Sequence, residues 1–234
     1  MKMLVAILNY NNNDNAKYLH KIFSKFGQCY IIDSGSKEQL EEFIPSDTPF
    51  YVGNLNKANE LFLNSDSQWC LYICSDVIIA EDDANKIVEN IANVRLSKIG
   101  CFAPSIKGKS VPQMKKKNKS GYRKVIFVEG IIFAVQRIVI ERLHPFDTTI
   151  NSMGHGIDVL IAHTAKKCGL RSIVDDSIEV FHPYGTSYDD VVANHERIEL
   201  RKHSSIGYKL FEYSYSISRI IGKYKRKAFY LFIR

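Results

Sequence analysis

Apolar and polar residues fall in blocks along this chain, and the period changes from block to block. Leu4 to Leu8 is a continuous apolar run, suited to a strand covered on both faces. Leu19, Ile22, Phe23 and Phe26 then recur at helical spacing within Asp14 to Phe26, with Asn13 or Asp14 available as N-cap. Tyr30 to Ile32 predicts a strand stopped by Asp33-Ser34-Gly35-Ser36, and a helix is expected over Ser36 to Phe43. The alternation continues with a helix over Asn56 to Asn64 and a strand over Trp69 to Ile73. A helix follows over Ala80 to Val94, with Ala84, Ile87, Val88 and Ile91 on one face, and then a short strand over Ile99 to Ala103. Lys124 to Val135 is β-rich and interrupted at Glu129-Gly130. Gly154 to Gly169 reads as a helix striped by Ile157, Leu160, Ile161, Ala165 and Cys168, and a last strand, Ile178 to Phe181, ends at His182-Pro183. Strands alternating with helices over short connections predict an α/β domain with a mostly parallel sheet flanked by helices.

The 234 residues fit one domain with room for an appendage, and 45% hydrophobic residues supply an ordinary core. Five cysteines, an odd number without metal-type pairing, read as reduced thiols, so a cytoplasmic protein is expected. No segment approaches the ~18 consecutive apolar residues of a membrane span. The opening run ends at a polar Asn-rich stretch without a cleavage site and is read as a buried strand.

Charge refines this picture. The net charge of +7 is unevenly placed: residues 107–124 carry eight Lys/Arg and no acid, and residues 195–234 carry ten Lys/Arg against three Glu. A mildly acidic body therefore bears two basic elements. Residues 107–124 lack apolar periodicity and are expected to form an exposed, mobile loop. The tail places Ile206, Leu210, Tyr213, Ile217, Ile220, Tyr224, Ala228 and Leu231 at spacings of three and four, with Lys209, Arg219, Lys223, Lys225, Arg226 and Lys227 mostly off that stripe. Such a helix suits an anionic membrane surface, peripheral on its inner face. Docking on the domain's own core, or on a second copy in a homodimer, would use the same stripe. No nucleic-acid motif accompanies it, and no nucleic acid is expected.

Ligands of open parallel sheets bind at the carboxyl ends of strands. Asn9-Tyr10-Asn11, Asp33 to Ser36 and Cys74-Ser75-Asp76 stand at such ends, His182 follows the last strand, and Asp158 lies in the first turn of a helix. In order and spacing these segments resemble the nucleotide-sugar-binding core of GT-A-fold glycosyltransferases, family 2 in particular, over about residues 3–190. Val5 to Asn11 is similar to that family's opening strand and its end, Ile31 to Ser36 to V-V-D-D-G-S, and Asn54 to Asn59 to N-x-G…A-x-N. Ile73 to Val77 is similar to D-x-D-V, and Gly130 with Phe133 to Arg137 to G-x-x-x-A-x-R. Gly154 to Val159, Ala165, Gly169 and Glu179 to Pro183 are similar to W-G-x-E-D…A…G…V-x-H-P.

The resemblance implies a GT-A domain over residues 1–190 with a basic amphipathic helical extension over 191–234. It implies metal-dependent transfer of a sugar from a nucleotide-sugar, a UDP-sugar first, to a glycan or lipid-linked acceptor in polysaccharide biosynthesis. Asp76 and His182 would hold Mn2+ or Mg2+. Asn9, Tyr10, Asp33, Asn54, Asn59, Ser75 and Asp76 would line the donor site. Gly130 and His155 would face the acceptor, and Asp158 would serve as general base in an inverting reaction. The chain departs from the pattern at Cys74, where the first Asp of D-x-D stands, and at Asn56, His155 and Ile157. Two rival readings share the fold. A sugar nucleotidyltransferase would carry a Gly-rich G-x-G-x-R loop, and Asn9 to Asn15 has neither Gly nor Arg. A non-catalytic membrane- or glycan-binding relative would keep the architecture without turnover.

Overall fold

The computed structural model describes residues 2–93, 98–183, 190–214 and 216–217. Its strands are β1 (Met3–Asn9), β2 (Gln28–Asp33), β3 (Ile44–Pro45), β4 (Trp69–Cys74), β5 (Ile99–Gly108), β6 (Tyr122–Val125), β7 (Ile132–Gln136) and β8 (Arg171–His182). Its helices are α1 (Asn13–Phe23), α2 (Phe50–Leu63), α3 (Glu81–Asn93), α4 (Arg137–Ile140), α5 (Ile157–Lys167) and α6 (Asp190–His203). The strands form one sheet in the order β3-β2-β1-β4-β7-β5-β8-β6. The pairs β1–β2, β1–β4, β2–β3 and β5–β8 are parallel; β7 runs antiparallel to both its neighbours and β6 to β8.

β1 lies in the middle of the parallel half and is buried at every residue, as its unbroken apolar run requires. Its parallel register with β2 and β4 brings Asn9 level with Asp33, and Leu8 level with Cys74. Three polar strand ends thus meet along one edge. α1 covers the sheet with Ala16, Leu19, Ile22 and Phe23, much as the periodicity predicts.

Several expectations change. No helix forms over Ser36 to Phe43: the Asp33 carboxylate accepts hydrogen bonds from the Gly35 and Ser36 N–H groups, and Gly35 takes a left-handed φ of 90°, which makes a turn instead. α2 begins at Phe50, six residues before the expected start, although Gly53 and Asn54 are poor helix formers. Gly53 is needed there because a Cβ would stand 1.8 Å from the Thr48 carbonyl oxygen. β8 starts at Arg171 rather than Ile178, because its polar Asp175-Asp176-Ser177 segment is absorbed as an irregularity in the β5–β8 ladder. β5 likewise runs on to Gly108.

Residues 107–124 are tied down rather than loose. Asp176 is fully buried and accepts from Arg123 Nε at 3.0 and 3.1 Å and from the Asn118 N–H at 3.1 Å. The same guanidinium donates to the Lys115 carbonyl at 2.8 Å, and Met114 is buried. The segment lacks apolar periodicity because a buried ion pair and backbone contacts hold it instead.

The boundary expected near residue 190 is not a boundary of the core. On α6, Ala193 is buried, and Tyr208 in the following helical segment, 206–214, packs with Phe127, Val159 and Ala162. The expected stripe residues do not make that contact: Ile206, Leu210, Tyr213 and Ile217 are 76%, 67%, 56% and 46% exposed. Ile220, Tyr224, Ala228, Leu231 and the basic residues Arg219, Lys223, Lys225, Arg226 and Lys227 lie outside the described residues.

Candidate active site

A cleft of about 390 Å³ opens at the strand-end edge, between the parallel half of the sheet and the segments around α5 and α6. Its floor comes from β1 and β4. Asn9 is wholly buried; its Nδ2 donates to Asp33 Oδ1 and Asn13 Oδ1, both at 2.8 Å, and its backbone carbonyl accepts from Asn54 Nδ2 at 2.9 Å. The Oδ1 atoms of Asn9 and Asn54 are buried without a hydrogen-bond partner among the described residues, and both residues line the cleft. Beside them stand Tyr10 and Phe50, ring centroids 6.3 Å apart. Phe50 holds a φ of 68°, an uncommon conformation for an aromatic residue and one found where a site is over-determined by its surroundings.

The loop after β4 carries Ser75 and Asp76. Two asparagines, Asn12 just before α1 and Asn15 in its first turn, fasten it: Asn12 Nδ2 donates to the Ser75 carbonyl at 2.6 Å, and Asn15 Nδ2 donates to the Ser75 and Val77 carbonyls at 2.6 and 2.8 Å. An isolated antiparallel bridge between Ile78 and Phe181 then brings the end of β8 alongside. His182 Nε2 lies 3.1 Å from Asp76 Oδ2 as a result. The His182 Nδ1 faces the Lys109 carbonyl oxygen at 2.7 Å. A carbonyl only accepts, so Nδ1 carries the hydrogen. A neutral ring then turns an Nε2 lone pair toward the carboxylate, and two acceptors face each other stably only with a proton or a cation between them. Burial pulls the His182 pKa down, but the Asp76 hydrogen bond, the Lys109 carbonyl and the charges of Asp76 and Glu129 outweigh it and leave it raised. Asp76 Oδ1 is buried with no hydrogen-bond partner among the described residues. Asp76 and His182 together therefore fit one hard divalent cation, with the remaining ligand positions open to water or phosphate oxygen. No cluster of three His, Cys, Asp or Glu side chains suited to a metal occurs among the described residues. Cys74 turns its Sγ to the Gly130 carbonyl at 3.3 Å, and burial holds its thiol far above the usual range, so it adds no ligand.

Across the cleft, Gly154 and Gly156 flank His155 with φ of 88° and 91° and lead the chain into α5. A Cβ on Gly154 would lie 2.3 Å from Tyr51 Cδ1, and one on Gly130 would lie 2.5 Å from the Tyr51 hydroxyl. Tyr51 fills the space between these two glycines and donates to the Gly130 carbonyl at 2.7 Å. Asp158 stands in the first turn of α5, partly open to the cleft. Burial on its protein side, with Glu129 adding negative charge, pushes its carboxyl up to about 7 against the pull of the Val159 N–H, its own backbone and Arg197. A carboxylate tuned to that range is matched to taking a proton near neutral pH.

Of the expected site residues, Asn9, Tyr10, Asn54, Ser75, Asp76, Gly130, His155, Asp158 and His182 all line this one cleft. Two do not. Asp33 is buried behind Asn9, its oxygens already accepting from Asn9, Gly35 and Ser36, so it shapes the wall instead of reaching a ligand. Asn59 is fully buried in the core, where its Oδ1 accepts from the Tyr72 hydroxyl at 2.6 Å. Sequence reasoning missed Phe50, Tyr51, Lys109, Glu129, Arg197 and Glu212, which line the cleft from distant segments. Glu129 carried a signal as an acid interrupting an apolar stretch, and Lys109 and Arg197 lie in the two basic elements.

The sequence matches no protein-family model and no curated protein. The architecture does have solved counterparts. It is similar to GalNAc-T7, solved with UDP, GalNAc and Mn2+, at 14% identity and a TM-score of 0.63, over 86% of this chain and 48% of that one. It is also similar to the mannosyltransferase PcManGT from Pyrobaculum calidifontis, solved with GDP-Man and Mn2+, at 15% identity and a TM-score of 0.53, over 86% and 61%. S. aureus TarS, residues 1–349, gives 14% identity and a TM-score of 0.57 over 87% and 72%. This chain thus spans about half of the first and under two thirds of the second. At such identities the likeness is one of architecture, and that architecture is the GT-A fold these glycosyltransferases share.

Proposed function

We propose that this chain is a metal-dependent glycosyltransferase that passes a sugar from a nucleotide-sugar, a UDP-sugar first, to a hydroxyl of a glycan or lipid-linked acceptor with inversion. The observation that carries the reading is the Asp76–His182 pair. One carboxylate oxygen and one imidazole nitrogen face each other at 3.1 Å, and a second carboxylate oxygen is buried without a hydrogen-bond partner among the described residues. Asp158, tuned to about 7, shares the same cleft. Mn2+ or Mg2+ held by Asp76 and His182 would neutralise the charge that a nucleoside diphosphate gains on leaving.

The chain's own residues supply the rest. Tyr10 and Phe50 offer aromatic faces to the base, and the open Oδ1 atoms of Asn9 and Asn54 offer acceptors to its N–H groups or the ribose hydroxyls. Lys109 brings a cation to the cleft for the phosphates. Asp158 takes the proton of the attacking hydroxyl as that oxygen bonds to the sugar, and the first turn of α5 favours the ionised carboxylate that stands ready for it. Met153, His155, Arg197, Glu212 and Ser216 form the acceptor wall. The test is turnover of a panel of nucleotide-sugars with Mn2+ or Mg2+, against the same panel with chelator. Metal-independent turnover, or none with any donor, would sink the reading.

A peripheral membrane role for the tail is supported by the exposed row Ile206, Leu210, Tyr213 and Ile217, beside the basic residues Arg201, Lys202 and Lys209. No helix among the described residues is long and apolar enough to cross a membrane. An anionic surface would present a lipid-linked acceptor to the wall that the same segment builds.

A further inference from the structure

The imidazole of His182 owes its orientation to a short strap, residues 109–111, and the strap owes its position to Glu129. His182 and Lys109 are joined twice: the Lys109 N–H donates to the His182 carbonyl at 2.9 Å, and His182 Nδ1–H donates to the Lys109 carbonyl at 2.7 Å. The approach is so close that residue 108 must be glycine; a Cβ there would stand 2.0 Å from the His182 carbonyl oxygen, and φ is 89°. On the far side of Lys109, Glu129 Oε2 accepts from the Ser110 hydroxyl and from the Val111 N–H, the latter at 3.0 Å. Glu129 is itself fixed to the end of β4. Its carbonyl accepts from the Ile131 N–H at 2.8 Å, and the Ile131 carbonyl accepts from the Cys74 N–H at 2.8 Å, two residues before Asp76.

We propose that Glu129 is a positioning residue of the donor site, anchoring Ser110 and Val111 so that the Lys109 carbonyl keeps His182 turned toward Asp76. The inference rests on the metal-dependent donor site proposed above. It explains why one acid interrupts the apolar stretch before β7, opposite a segment that has eight bases and no acid of its own. Glu129 Oε2 is spent on two donors of the strap. It acts through the strap, as groups behind a metal-bound histidine do. The linkage also joins the two halves of the cleft, since Glu129 adjoins Gly130, whose carbonyl receives the Tyr51 hydroxyl.

The test is calorimetric titration of Mn2+ into the full chain with UDP, for the parent, Glu129→Ala, Glu129→Gln and Ser110→Ala. Thermal melts of each check the fold. Glu129→Ala is expected to lower Mn2+ affinity by about 10–100-fold, the usual scale for a residue behind a metal ligand. Glu129→Gln, which keeps an oxygen acceptor, should stay within a few-fold of the parent, and Ser110→Ala should fall between them. Parent-like affinity in Glu129→Ala overturns the proposal, and so does a Gln variant as weak as Ala, because charge rather than anchoring would then be at work. If Glu129→Ala does not fold, unchanged affinity in Ser110→Ala overturns it. A parent that binds no Mn2+ with UDP removes the donor-site reading itself and this inference with it.

Discussion

At the scale of single residues, the proposed function gives the two sides of the cleft separate roles, one holding the donor and the other moving a proton. Asp76→Asn is expected largely to remove metal-dependent nucleotide binding in calorimetry, since an amide loses the charge and puts an NH2, which cannot ligate a cation, in place of one carboxylate oxygen. His182→Ala should weaken the metal dependence less, because one carboxylate oxygen and the phosphates remain. Asp158→Asn should bind donor normally and transfer about 10²–10⁴-fold more slowly. Parent turnover should fall off on the acid side with an apparent pKa of about 7, and that limb should vanish from the residual rate of Asp158→Asn. The same shift enters stability. Folded Asp158 keeps its proton up to about pH 7, whereas the unfolded chain releases it near the ordinary aspartate value of 3.8. Between those pH values the folded state binds more protons, so stability falls as pH rises through the window and is fully present only below it. Melts of Asp158→Asn across pH 4–8 should show a flatter profile than the parent.

At the scale of elements, what the sheet does depends on side chains that finish helices and loops. Arg137, read from sequence as part of a family segment, donates to the Phe62, Leu63, Ser65 and Ser67 carbonyls and lies 4.8 Å from the Phe62 ring. It therefore closes the C-terminal end of α2, where carbonyls lack intrahelical partners and the dipole favours a cation. Arg137→Ala should cost roughly 2–4 kcal/mol and lower Tm by about 5–15 °C, leaving donor affinity of the folded fraction unchanged. A melt within a degree of the parent would remove that role. The elements most legible in the sequence, β1, α1, β4 and α3, are those whose buried apolar residues all join one core. Where polar groups satisfied one another inside the fold, as Asp175 with Asn90 and Asp176 with Arg123, the two aspartates fell outside the expected strand and Arg123 in an expected loop.

At the scale of the whole molecule, the tail does two jobs at once. Tyr208 and Glu212 turn inward, Tyr208 against Phe127 and Val159 and Glu212 into the cleft, while Ile206, Leu210, Tyr213 and Ile217 turn outward. One helical segment thus lines the cleft and presents an apolar row to the outside. We expect the chain to co-sediment with anionic vesicles and the quadruple change of Ile206, Leu210, Tyr213 and Ile217 to Ser to reduce that binding strongly. Neutral vesicles or high salt should weaken the parent as well, because each basic residue near such a surface contributes about 1 kcal/mol that salt screens. Equal sedimentation of parent and variant would end the membrane role. A change of native mass in the variant would identify the row as a contact between two copies.

The sequence by itself determined the α/β class, the parallel half of the sheet and the polar residues at strand ends that line the cleft. Each of these follows from local periodicity, or from polar residues standing where a buried strand must stop. Only the tertiary structure decided that Asp33 and Asn59 serve the wall and the core, because their partners, Asn9 and Tyr72, lie 24 and 13 residues away. It alone brought Glu129, Lys109 and Tyr51 to Asp76 and His182, across separations such as the 106 residues between those two ligands. Periodicity also gave the stripe of the tail but not its direction. A helix records which residues share a face; what that face meets is set by the rest of the fold, here the inward hold of Tyr208 and Glu212.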